Sequence, residues 1–157
     1  MKIRAKRTEK NGKVYYTLDG KEKMKLFKEE FEIAYAKQIK STYGISAFII
    51  AKVPDNVKVV YEDDEGEEHD ADNITGLGFS LPIRDKDGTL VGVGEDIIKM
   101  MMSRKEGETV KVKVTLNEKT SSQGTKYTVY SVERVWLVFW FLFSIFYLKY
   151  FIKNKKI

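Results

Sequence analysis

Residues 109–116 read TVKVKVTL. Apolar side chains fall on every second position, Val110, Val112, Val114 and Leu116, with Lys111, Lys113 and Thr115 between them. Successive strand side chains point to opposite faces, so this spacing fits a strand with one face on a core and the other in water. A helix would scatter the four apolar residues around its axis. The polar run Asn117–Thr125 then leads to 126–133, KYTVYSVE, which reads as the returning strand of a hairpin. The stretch therefore predicts a sheet-based domain with mainly antiparallel pairing.

A second hairpin stands near the start. Residues 2–10 and 13–18 flank Asn11-Gly12, a dipeptide that tolerates positive φ at both positions. Pairing across this turn sets Arg7 opposite Tyr16 and Ala5 opposite Leu18. Ile3, Ala5, Tyr16 and Leu18 then share one face, and Arg4, Lys6, Thr8, Tyr15 and Thr17 the other. The two hairpins echo each other, each a Lys-bearing strand, a Gly turn and a Tyr-bearing strand. In outline they resemble the hairpins of oligonucleotide-binding barrels, a likeness of shape and not of motif.

Between the hairpins, residues 22–42 show Met24, Phe27, Phe31, Ala34 and Tyr35 at three- and four-residue steps, which predicts a helix. Residues 45–53, ISAFIIAKV, are apolar on both faces and read as a central strand. Pro54-Asp55-Asn56 is a turn, and 57–62 returns as a strand. Eight acids and no base follow between Glu62 and Asp72, a charge density that predicts an exposed, mobile loop. Residues 74–83 and 89–93 read as strands around the turn Asp85–Gly88, and 95–105 as a second helix. The expected fold is α+β: a mainly antiparallel sheet or small barrel-like domain with two helices, followed by a C-terminal hydrophobic helix.

That last helix belongs to a separate segment. The chain of 157 residues has a net charge of +5. Residues 134–157 hold five bases and no acid, whereas residues 1–133 hold 23 bases and 23 acids. Composition thus divides a neutral domain, 1–133, from a basic and aromatic tail, 134–157. Residues 135–152 span about 27 Å as a helix, close to the roughly 30 Å of a bilayer core. Trp136, Tyr147 and Tyr150 suit interfacial positions, which makes this a candidate single transmembrane helix. Lys153, Lys155 and Lys156 would then lie on the far side, against the positive-inside tendency. A core helix, or translation past the end of an AT-rich gene, are the alternatives for the same string. MKIRAKRTEK carries bases but no apolar run, so the domain is expected in the cytoplasm, with a membrane anchor if the tail inserts.

Composition also excludes chemistry. With no Cys and one His, thiolate metal sites, Cys nucleophiles and multi-His centres are ruled out. Asp85–Gly88 fails as a calcium loop because Ile83 and Gly94 occupy its first and twelfth positions. Gly92-Val93-Gly94 fails as a phosphate loop because Glu95 and Asp96 would repel an anion. The acidic run offers hard oxygens and His69 at no defined ligand spacing. The reading is accordingly non-enzymatic, with no cofactor and no metal.

What remains is binding. Cations with flat rings are what single-stranded nucleic acid needs, for phosphates and for stacking. Residues 1–28 carry ten bases and three acids. The candidate nucleic-acid-binding residues are Arg4, Lys6, Tyr15, Lys111, Lys113, Lys126 and Tyr127. The expected partner is single-stranded nucleic acid, with the acidic run as a competing phosphate mimic. The alternative is a membrane-tethered adaptor that binds another protein.

Overall fold

The computed structural model describes residues 1–135. The hydrophobic stretch at 135–152 lies, beyond Val135, outside the described residues. In chain order the elements are β1 (Lys2–Arg4), β2 (Lys6–Lys10), β3 (Lys13–Thr17), α1 (Gly20–Phe27), β4 (Phe31–Ser41), β5 (Gly44–Ala51), β6 (Lys58–Glu62), β7 (Glu68–Asp70), β8 (Leu77–Asp85), α2 (Gly94–Met102), β9 (Val110–Thr120) and β10 (Lys126–Arg134). The fold is α+β, rich in sheet, with two helices among the described residues. One sheet has seven strands in the order β10-β9-β4-β5-β8-β3-β2, and a smaller one the order β1-β6-β7. Pairing is mainly antiparallel; β1–β6 and β3–β8 are parallel.

The expected alternation of β9 holds as far as Val114. Leu116, expected on the same inward face, is 41% exposed where the strand runs on into the β9–β10 ribbon. Val110, Val112 and Val114 are buried. They join Phe31 and Ile33 of β4, Ala47, Ile49 and Ala51 of β5, and Leu77, Phe79 and Leu81 of β8 on one inner face. Leu26 and Phe27 of α1, Ile97 and Met101 of α2, and Ile3 and Val59 of the small sheet close over that face. Phe27 packs against the rings of Phe31, Phe79 and Tyr130 at centroid distances of 5.8, 5.6 and 6.3 Å. The β5 strand is central, as its composition implied.

The predicted helix over 22–42 is corrected. Asp19 caps α1 by accepting the backbone N–H groups of Lys21 and Glu22 at 3.0 and 2.9 Å. The helix ends at Phe27, and an eleven-residue strand begins at Phe31. Phe31–Ile33 pairs with Val112–Val110 of β9, so a sheet edge claims this segment where local spacing favoured a helix. A β-bulge between Ile33 and Tyr35 shifts the alternation by one residue. That shift is what made strand residues mimic helical steps.

Three further expectations change. Residues 2–10 are two strands that part at Ala5, whose N–H turns to Val60 O at 2.8 Å. Arg7 does face Tyr16, but the β2–β3 ladder ends at Lys6 and Thr17, so Ala5 and Leu18 are buried beyond it. Residues 89–93 contribute only a single bridge between Leu90 and Arg84. The acidic run is a hairpin of β6 and β7 and not a free loop. Asp63 accepts the N–H groups of Glu65 and Glu67 at 2.9 and 2.8 Å, and Gly66 takes φ 82°. Cations from the N-terminus and from β6 offset part of the remaining charge: Lys2 reaches Glu68, Arg4 reaches Glu62 and Glu68, and Lys58 reaches Asp70.

Candidate nucleic-acid interface

The two hairpins stand at opposite edges of the large sheet. β9 and β3 are separated by β4, β5 and β8. At about 4.8 Å per strand that is roughly 19 Å. The seven candidate residues therefore do not form one cluster, and several already have partners. Arg4 Nη1 donates to Glu62 Oε1 at 2.6 Å. Lys111 lies 3.5 Å from Glu30. Half-buried Lys113 donates to Phe27 O and Lys28 O at 3.2 and 2.7 Å, closing the C-terminal end of α1. Lys126 and Tyr127 sit near the tip of the β9–β10 ribbon, facing Thr120 and Lys119. As strand neighbours they point to opposite faces.

Lys6 and Tyr15 are different. They lie on the outer face of the large sheet, opposite the helices. Register extends this face through Thr8 and Thr17, Gly78 and Ser80 of β8, Ser46, Phe48 and Ile50 of β5, and Tyr35, Lys37 and Ile39 of β4. A Cβ on Gly78 would fall 2.9 Å from the Phe48 ring and 3.5 Å from Thr17 Cγ2, so the glycine lets the ring lie against the sheet. Tyr15 and Tyr35 are 49% and 43% exposed. No Asp or Glu stands on this face of β2, β3 or β5, nor of β4 from Tyr35 to Ile39, nor of β8 from Gly78 to Pro82. Lys6, Lys13 and Lys37 have no ion pair among the described residues. Lys23 borders the face, bonding Ser80 O at 3.0 Å; burial lowers its pKa, with Asp19 opposing.

A cleft of about 630 Å³ opens at one end of this face. It forms because β3 meets β8 only at Thr17 and Gly78 and then splays away from residues 72–76. Tyr15 and Tyr16 form one wall, Phe48 and Ile50 the floor, and Asp72 to Gly76 the other wall. Arg7 and Lys13 complete the lining.

Of the residues on this face, the sequence singles out Tyr15 and Lys6 as candidates, whereas Tyr35, Lys37, Phe48 and Ile50 join them only through the fold. The signal for the last two was present, since a strand apolar on both faces needs two covered sides or one sticky one. Tyr35 and Lys37 were concealed inside the misread helix.

The acidic hairpin brings Asp63, Glu67 and His69 within 4.8 Å of one another. His69 Nε2 lies 2.7 Å from Asp63 Oδ2. This bond, with the Glu67 and Glu65 N–H groups, holds the Asp63 carboxyl below the usual carboxylate range. Lys2, and then Arg4, do the same for Glu68. These internal partners account for the cluster. Among the described residues no helix is long and apolar enough to cross a membrane. Comparison with protein-family models, curated proteins and solved structures finds no match.

Proposed function

We propose that this chain binds single-stranded nucleic acid, without catalysis, on the outer face of its large sheet. The observation that carries the reading is one face holding Tyr15, Tyr35 and Phe48 beside Lys6, Lys13 and Lys37, with no carboxylate at the strand positions between them. Rings offer stacking platforms to bases, and the lysines track the phosphates. An unpaired strand suits this face, because its bases are free to stack on the exposed rings.

Salt titration of a labelled single-stranded oligonucleotide, followed by anisotropy, tests this. Three phosphate contacts should give log K falling against log salt with a slope of about −2. Absence of binding near 50 mM salt, or binding indifferent to salt, would remove the reading.

A second reading, a protein partner, is favoured by the edge of β3. Beyond Thr17, residues Lys13–Tyr16 have no strand partner on the β8 side among the described residues. An extended segment of another protein would satisfy such an edge. We further propose membrane tethering through 135–152, on its sequence alone. The full chain should float with liposomes while a chain ending at Val135 stays at the bottom of the gradient; equal behaviour would end the tethering idea.

A further inference from the structure

The cleft between β3 and residues 72–76 differs from the flat sheet beside it. It is concave, and at about 630 Å³ it lies within the size range of small-ligand sites. Aromatic rings line two of its sides, and its far wall is polar. Asp72, Asn73 and Thr75 all line it, and their side chains make no hydrogen bond among the described residues. Asn73 takes φ 55° in the turn that carries them. Lys13, also without an ion pair among the described residues, stands in the lining, while Arg7 is turned towards the Tyr61 ring at 5.5 Å. The cleft thus combines a stacking wall, a cation for a phosphate, and side chains with unused hydrogen-bonding capacity.

We propose that this cleft holds one nucleobase of the bound strand and selects a base bearing an exocyclic amino group. This rests on the nucleic-acid reading above and adds specificity to it. A carboxylate only accepts hydrogen bonds, so Asp72 needs a donor. Cytosine presents N4–H2 where thymine presents the O4 acceptor. Cytosine N–H to Asp72 is a favourable pair, whereas thymine O4 against the same carboxylate sets two acceptors together. The Asn73 amide can both donate and accept, so it supports several base edges. Tyr15 supplies the ring, and Lys13 takes the adjoining phosphate.

The experiment compares labelled dC and dT oligonucleotides of about 12 nucleotides, a length within the range of single-strand binders, on the full chain. Both are pyrimidines, so stacking is nearly matched and the C4 substituent is the main variable. The dC strand should bind about tenfold more tightly than dT. Asp72→Asn, at an exposed position with no protein partner among the described residues, should bring the ratio close to one, because the amide accepts from cytosine N4–H2 and donates to thymine O4 alike. A ratio near one in the unaltered chain, or a ratio that survives Asp72→Asn, would overturn the pocket while leaving single-strand binding in place. Failure of both oligonucleotides to bind would overturn the pocket together with the function it rests on.

Discussion

Replacing Phe27 with alanine is expected to destabilise the domain by about 3–5 kcal/mol. The ring is 2% exposed. It stacks on Phe31 and meets Phe79 and Tyr130 edge-on, so it joins α1 to β4, β8 and β10 at a single point. Alanine would remove the ring's burial and leave a cavity walled by β4 and β8, each paired on both sides, and by the edge strand β10, so it cannot collapse freely. Domains of this size have about 5–15 kcal/mol in total, so the variant would stand near its folding limit. With a urea m-value of about 1–3 kcal/mol per M, the midpoint should fall by about 1 M or more. Phe27→Leu retains most of the volume and should cost less than half as much. A loss below about 1 kcal/mol for Phe27→Ala would show that this cluster does not organise the core.

The second large effect concerns binding. Tyr15→Ala should weaken single-strand affinity by about 1–3 kcal/mol, the usual range for one base–aromatic stack. The double charge reversal Lys6→Glu/Lys37→Glu should reduce the magnitude of the salt slope by at least roughly 1.4, the share of two phosphate contacts. Neither change removes a structural partner, so thermal stability should hold. Lys113→Ala provides the contrast. Its ammonium closes the end of α1, so it should lower stability and leave affinity alone. Loss of binding in Lys113→Ala with none in Tyr15→Ala would relocate the interface to the β9 side of the sheet. Anisotropy titrations beside thermal melts separate these outcomes.

The elements legible in the sequence were those in which local chemistry and tertiary environment agree. Val110, Val112 and Val114 alternate because one face is buried and the other is not. Asn11 and Gly12 adopt φ of 55° and 74°, the turn that their side chains allow. The segment 31–41 was misread because its bulge after Ile33 breaks the two-residue period, and its helix-like spacing hid a partner more than seventy residues downstream. The acidic run looked unpaired because two of its cations, Lys2 and Arg4, lie about sixty residues earlier in the chain. Half of the proposed interface was equally distant in sequence. Tyr15 and Lys6 share a hairpin, but the sheet order that lays Phe48 and Tyr35 beside them, and moves Lys111 and Lys126 away, follows from long-range pairing.

That same long-range pairing constrains how the chain can be made. β1 needs Lys58–Val60, β3 needs Gly78, and the first residues of β4 need Val110–Val112. Synthesis proceeds from the N-terminus at about 5–20 residues per second, so the N-terminal strands wait seconds for their partners. During that interval Phe31 and Ile33 have no β9 to pair with, and the growing chain presents an apolar strand edge to its surroundings. The sheet acquires its full width only once β9 and β10 have left the ribosome, which makes completion of β9 the step that covers the open edge at Phe31–Ile33.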